Sequence, residues 1–102
     1  MQSTTFLLAD KEAPSFNYCP STIHAYADKR KDMATVLWKS PTAIDNSGQL
    51  PIITRRKGLQ PGSLFQRFTE ISYVAKDSSG NESPPCTFFI FVESKLHTDQ
   101  FD

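Results

Sequence analysis

The sequence predicts one all-β domain of the sandwich type, and three observations support that fold class. The chain has 102 residues, which fits a single compact domain and leaves no room for two. Its apolar residues alternate with polar ones at a period of two, and no stretch of eleven or more residues has helical spacing. Clusters of Gly, Pro, Asn, Asp and Ser separate the alternating stretches, which is typical of turns between short strands.

The first half of the chain predicts two strands and one long loop. The first strand covers residues 15–19 and 22–27 and is broken at Pro20, which has no N–H to donate to a sheet. The second strand covers residues 33–39, where successive side chains point to opposite faces. One face is expected to carry Ala34, Val36 and Trp38 and the other Thr35, Leu37 and Lys39, which is typical of a half-buried strand. Residues 40–49 are polar and predict a loop.

The second half of the chain predicts the remaining elements. In order, these are an extended stretch (50–56), a turn (58–62), a short strand within 63–68, a strand over 70–76, a polar loop (77–85) and a last strand over 86–93. Short strands at this spacing, about seven in all, fit an immunoglobulin- or fibronectin-III-like β-sandwich. A small barrel is the alternative architecture.

Charge and hydropathy exclude several classes of function. Lys plus Arg and Asp plus Glu both number 11, so the net charge of zero removes the general attraction to nucleic acid or anionic membranes that a basic surface provides. The longest apolar run, residues 88–92, is far shorter than the roughly 20 residues that cross a bilayer. No glycine-rich phosphate loop, nucleophile elbow or metal-ligand spacing is present, so the sequence predicts neither an enzyme nor a cofactor.

The domain is predicted to cover residues 12–93. Residues 1–11 lack the basic start and the apolar length of a signal peptide and are assigned to an N-terminal flank, and residues 94–102 to a polar C-terminal tail. Neither end has the features of a natural terminus, so we expect a module excised from a longer protein.

Two cysteines, Cys19 and Cys86, lie near the two ends of the predicted domain. Their wide separation excludes the short spacing of a zinc knuckle or a redox motif. A disulfide between them would close most of the domain into one loop and would stabilise it by about 4 kcal/mol. The alternative is two buried free thiols in a cytosolic protein.

The order of short motifs along the chain is more specific than the strand pattern. The motifs are AP (13–14), CP (19–20), ATVLW (34–38), PTA (41–43), DNSG (45–48), PGS (61–63) with Phe65, YVAKD (73–77), GN (80–81) and CTF (86–88). In this order and spacing, from about residue 12 to residue 93, they resemble the hyalin repeat, or HYR domain. The resemblance implies an immunoglobulin-like extracellular module with a cysteine pair, found in multidomain secreted and cell-surface proteins, often beside sushi modules, and linked to adhesion.

One position departs from the pattern of that family. The family usually has Gly between the Phe and Tyr strands, where this chain has Phe68, and a phenylalanine does not easily take a positive φ. We therefore expect either a reshaped turn at Phe68 or an alignment that shifts by one residue across it.

Asp45, Asn46 and Asp77 are candidate interaction residues in the two polar loops. The fibronectin-like strand order that the resemblance implies places both loops at one end of the sandwich, where loops on a rigid scaffold carry function. With Asn81 and Glu82 they also supply the oxygen ligands that calcium prefers, although Asp and Asn favour turns for backbone reasons alone. Asn81 in addition begins an Asn-x-Ser acceptor sequence for N-glycosylation.

Six cations lie in two short runs, residues 29–31 and the run Arg55, Arg56 and Lys57. Local positive potential of this kind attracts sulfated glycans even when the net charge is zero. The alternative interpretation is that both runs are solvated and keep strand edges from aggregating.

Phe89 and Phe91 are expected to point away from the core, because the alternate residues of the last strand form its inward face. Either another part of the chain, such as residues 6–8, covers the two rings, or they form an apolar patch for a neighbouring domain.

Together these features predict a non-catalytic extracellular interaction module that contributes to adhesion through a protein or sulfated-glycan partner, with neighbouring modules such as sushi domains. The alternative is a structural spacer that sets the geometry between its neighbours and has no ligand of its own. In either case a Cys19–Cys86 disulfide is expected to act as a mechanical clamp between those neighbours.

Overall fold

The computed structural model describes residues 12–27 and 32–93, and their regular structure consists of eight strands. In chain order these are β1 (Ser15–Tyr18), β2 (Ile23–Tyr26), β3 (Ala34–Thr35), β4 (Thr42–Ile44), β5 (Ile52–Lys57), β6 (Leu64–Phe65), β7 (Phe68–Lys76) and β8 (Cys86–Glu93). The all-β fold class is therefore confirmed, with one strand more than the pattern indicated.

The strands form the two layers of an immunoglobulin-like β-sandwich. One layer is a four-stranded sheet in the order β2-β8-β7-β5, in which β2 pairs with β8 in parallel and the other pairs are antiparallel. The other layer is built from two short antiparallel pairs, β1-β4 and β3-β6. Because these strands form separate sheets and not one closed sheet, the small-barrel alternative is wrong.

The additional strand, β4, lies inside the predicted loop 40–49. Ala43 is buried at its centre, and the flanking Thr42 and Ile44 are exposed. A strand with one small inward side chain has almost no apolar alternation, so the sequence pattern does not reveal it. In contrast, the break of the first strand at Pro20 is confirmed, because β1 ends at Tyr18 and β2 begins at Ile23.

The core between the two layers is centred on four aromatic side chains. The Trp38 ring packs against Phe65 and Phe88, with ring centroids 5.6 and 5.4 Å apart. Trp38 Nε1–H donates a hydrogen bond to the Tyr73 hydroxyl at 3.1 Å, so the two polar groups of this cluster satisfy each other. Phe65 and Phe88 are almost completely buried, and each contributes about 2 to 3 kcal/mol through the hydrophobic effect.

The chain enters and leaves the sandwich at opposite ends. At the first end, Glu12 accepts a hydrogen bond from the Asn46 side chain, and residues 45–51 and 77–85 join the strands; we call this the loop end. At the second end, β8 finishes at Glu93, whose carbonyl oxygen accepts a hydrogen bond from Ala27 N–H; we call this the exit end.

Phe68 occupies an extended position and not a turn. It is the first residue of β7 and pairs with Phe91 on β8. Its ring is 57% exposed on the outer side of the four-stranded sheet. Phe68 is therefore an exposed ring on the sheet surface and not part of a reshaped turn.

Candidate interaction surfaces

Cys19 and Cys86 form a disulfide, which confirms the predicted pair. Cys19 follows β1 and Cys86 begins β8, and their Cα atoms are 5.8 Å apart, within the range that a disulfide spans without backbone movement. The alternative of two free thiols is wrong. The bond joins the short β1-β4 pair to the main sheet on the side where the chain enters.

The two polar loops meet at the loop end, as the strand order implied. Asp45, Asn46 and Gln49 from one loop and Asp77 and Ser78 from the other line a common cleft of about 240 Å³. The cleft is polar on both sides, since its lining consists of acidic, amide and hydroxyl side chains. The structure therefore brings together three of the predicted interaction residues, Asp45, Asn46 and Asp77.

Asp45 and Asp77 also shape the backbone of their own loops. Asp45 Oδ2 accepts hydrogen bonds from the N–H and hydroxyl of Ser47, at 3.2 and 2.6 Å. Asp77 Oδ1 accepts from Ser79 N–H and Asn81 N–H, at 3.0 and 2.8 Å, and Asp77 Oδ2 accepts from Asn81 Nδ2 at 3.0 Å. These bonds across two to four residues are the turn-building contacts that Asp makes. The turn-building interpretation of both aspartates is thus supported by their contacts.

Calcium binding at these loops has no geometric support. Within the described ranges 12–27 and 32–93, no group of three or more His, Cys, Asp or Glu side chains is arranged to hold a metal ion. Asp45 Oδ1 is buried and lacks a hydrogen-bond partner in that part of the chain, but one oxygen atom does not make a coordination site.

The hydrogen bonds to Asp77 lower the pKa of its carboxyl group, with the Asn81 side chain as the main cause. Because the folded-state pKa lies below the unfolded value of about 3.9, the stabilising effect is complete above that value and is lost as the pH falls through the folded pKa. We therefore expect Asp77→Asn to unfold at a lower urea concentration than the wild type at pH 7. The difference should shrink steadily as the pH falls below the unfolded value of about 3.9. A difference that is independent of pH would show that the charge of Asp77 has no part in stability.

The basic run on β5 is largely neutralised by carboxylates. Arg56 Nη2 lies 2.6 Å from Glu82 Oε2, and Lys57 Nζ lies 3.3 Å from Glu70 Oε1. The hydrogen bond from Arg56 lowers the pKa of Glu82, so the carboxylate stays charged opposite it. Since β5 is an edge strand of the main sheet, these pairs favour edge protection over glycan binding. Arg55 instead donates to the Gly58 carbonyl oxygen, and residues 29–31 lie outside the described residues.

The outer side of the main sheet carries a contiguous aromatic cluster, which we call the outer aromatic surface. It consists of His24, Phe68, Phe89 and Phe91. The His24 ring stacks on Phe91 at 5.3 Å, Phe91 contacts Phe68 at 5.1 Å, and Phe68 stacks on Phe89 at 5.5 Å between centroids. Phe91 is 36% exposed. Phe68 also lines an open cleft next to this surface, together with Leu59 and Leu64.

Strand register explains why these four side chains meet. Phe91 pairs with His24 on β2 and with Phe68 on β7, so three rings form one row across three strands. The sequence identified Phe89 and Phe91 from the alternation of β8, but it did not identify His24 or Phe68 as their neighbours. The sequence feature that singled out Phe68 was its departure from the glycine of the family pattern. Residues 6–8, the predicted cover for the rings, lie outside the described residues.

The fold and its crosslink define the class of protein. A two-layer all-β sandwich of short strands, closed by one disulfide, is an immunoglobulin-like module. In the described segments, no helix is found with the length and apolar character needed to cross a membrane.

The chain belongs to the HYR domain family, whose model matches residues 9–92. It is similar to hyalin of Strongylocentrotus purpuratus, with 36% identity over 93 residues that cover 90% of this chain and 8% of hyalin. It is also similar to the sushi, von Willebrand factor type A, EGF and pentraxin domain-containing protein 1 of Rattus norvegicus and Mus musculus. Each of these shares 40% identity over 89 residues, covering 86% of this chain and 2% of the relative. No solved structure matches the chain significantly.

Proposed function

We propose that this chain is a non-catalytic extracellular interaction module that contributes to adhesion by binding a protein on its outer aromatic surface. The observation that carries the proposal is the contiguous exposure of Phe68 and Phe91 beside His24 and Phe89. Aromatic side chains supply a large part of the energy of protein interfaces, and contiguous exposed apolar surface marks such sites. Membership of the HYR family supports the adhesive role.

An extracellular location is part of the same proposal. The chain has a Cys19–Cys86 disulfide, and disulfides form and persist in oxidising environments and are rare in cytosolic proteins. The chain spans only 8% and 2% of the curated relatives it matches, and the name of one relative includes sushi, EGF and pentraxin domains. We therefore propose that the module works beside other extracellular modules, such as sushi domains, in a longer protein.

Adhesion to a surface coated with this chain tests the proposal. The probe is a cell line that produces the parent protein, and the measurement is the number of cells retained under flow. We expect the double variant Phe68→Ser, Phe91→Thr to retain at least about tenfold fewer cells, because hot-spot aromatic residues each contribute more than about 1 to 2 kcal/mol.

A matched control removes an exposed apolar side chain elsewhere. Leu50 is 88% exposed and lies in the loop end, away from the outer aromatic surface, so Leu50→Ser should retain as many cells as the wild type. Equal retention by the wild type and the Phe68/Phe91 variant would refute binding at the outer aromatic surface.

A structural spacer is the second candidate, and the direction of the chain favours it. β1 runs away from the loop end, since Ser15 pairs with Ile44 beside the loop and Tyr18 pairs with Thr42 farther along. β8 runs the same way, from Cys86 towards Glu93. Tension applied at the two ends would therefore pass along β1, through the disulfide and along β8, all of which are already extended. A pure spacer differs from the first candidate in that the Phe68/Phe91 variant would lose no adhesion.

We also propose that Asn81 carries an N-linked glycan in the secreted protein. Asn81 is half-buried and its Nδ2 donates to Asp77 Oδ2, but a glycosylated amide keeps one hydrogen for that bond. The expected result is a loss of mass when secreted protein is treated with a glycosidase, and no loss in the Asn81→Gln variant. An unchanged mass in the treated wild type would show that the acceptor sequence is silent.

A further inference from the structure

We infer that the protein bound at the outer aromatic surface is a second copy of this chain, held in a weak symmetric contact. The inference rests on the proposed function, because it names the partner of the same surface. A contact between two identical patches is closed by a two-fold axis, so each copy supplies the same rings to the other. Two features of the surface, its area and its charge, favour this partner.

The area of the surface fits a weak contact between copies. Fully exposed aromatic side chains present about 150 to 250 Å² each, so the exposed fractions of Phe68, Phe91 and the neighbouring Tyr26 amount to roughly 230 to 380 Å². A stable complex buries about 800 Å² on each partner. The surface therefore suits a transient contact that becomes strong only when many copies act together, as they do on opposed surfaces.

The charges around the surface are balanced in a way that permits self-association. The chain has a net charge of zero, so two copies approach without long-range repulsion. Both signs lie beside the rings: Lys57 is paired with Glu70 across β5 and β7, and Arg67 and Asp32 line one cleft with Phe68. Because both signs are present on the same surface, a two-fold arrangement can place cations of one copy near carboxylates of the other, whereas a partner of a single strong charge would meet attraction and repulsion together.

Concentration-dependent association of the chain itself is the first half of the test. Sedimentation of the wild type between 10 µM and about 2 mM should show a weak monomer–dimer equilibrium, with a Kd of roughly 0.1 to 1 mM. The Phe68→Ser, Phe91→Thr variant should bind at least about tenfold more weakly, and Leu50→Ser should match the wild type. Both substitutions lie at exposed rings, so the urea midpoint of the double variant checks that it is folded.

The second half of the test measures the clustering of beads coated only with this chain. Many copies on each bead raise the avidity of a weak contact by about 10² to 10⁴. We expect wild-type beads to cluster and variant beads to stay dispersed. A chain that is monomeric at 2 mM and whose beads do not cluster would overturn the inference, as would a dimer that the double variant leaves unchanged. If such beads stay dispersed while cells still adhere through Phe68 and Phe91, the second copy is excluded but the proposed function stands. If neither bead clustering nor cell adhesion depends on Phe68 and Phe91, both the second copy and binding at the outer aromatic surface are refuted.

Discussion

Replacing Cys19 and Cys86 together by serine is expected to lower the free energy of unfolding by about 4 kcal/mol. The disulfide closes a loop with a sequence separation of 67 residues, and the chain-entropy model gives about this stabilisation for a loop of that length. Domains of this size bury a modest share of their surface, and the free energy of unfolding of native proteins is about 5 to 15 kcal/mol. The loss of the disulfide would therefore remove a large fraction of the stability of the domain. The melting temperature should fall by roughly 15 to 30 °C.

Urea unfolding of the double serine variant, with the wild type in the presence and absence of a reducing agent, measures this effect. The reduced wild type and the variant should have similar midpoints. Since Cys86 is buried, a Cys19→Ala, Cys86→Ala variant separates the lost crosslink from the cost of a buried hydroxyl. If the free energy of unfolding falls by less than about 1 kcal/mol in the reduced wild type, the double serine variant and the double alanine variant, the disulfide does not have the stabilising role described.

Phe88→Ala should cost about 3 to 5 kcal/mol, the range found when a fully buried phenylalanine is truncated. Phe88 is 2% exposed and lies between the rings of Trp38 and Tyr73, at centroid distances of 5.4 and 6.4 Å. Its removal leaves a cavity at the centre of the core and loosens the position of Trp38, whose N–H is bonded to Tyr73. The expected result is a marked decrease in the urea midpoint with an unchanged slope.

Phe91→Ala provides a matched control on the same strand. Phe91 is three residues farther along β8 and points to the outer side of the sheet, where 36% of it is exposed. Its truncation should cost less than about 1 to 1.5 kcal/mol, since no core cavity is created. Equal losses for Phe88→Ala and Phe91→Ala would contradict the division of β8 into a core face and an outer face.

The period-two pattern was sufficient to predict the strands that carry the core. β7 and β8 show strong alternation because one face of each packs into the sandwich, and β8 has the predicted bounds. β4 and the limited length of β3 were not predictable in the same way. A three-residue strand with Ala43 as its one buried side chain gives no periodic signal, and only Ala34 and Thr35 of the predicted second strand pair in a ladder.

The candidate surfaces show a similar division. The orientation of Phe89 and Phe91 followed from local alternation alone. Their junction with His24 and Phe68 depends on the register between β2, β8 and β7, which is set by long-range pairing and cannot be read from local spacing. The pairing of Arg56 with Glu82, across 26 positions in the sequence, was hidden for the same reason and changes the interpretation of the basic run.

Hydroxyl-radical footprinting of the outer aromatic surface tests the central claim most directly. The chain is oxidised free in solution at low micromolar concentration and again when bound to cells that produce the parent protein, and ring oxidation is read by mass spectrometry. If adhesion uses this surface, Phe68 and Phe91 should be oxidised readily in the free chain and protected on the cells, while Leu50 reacts equally in both states. Equal oxidation of Phe68 and Phe91 in the free and bound chain would contradict the account.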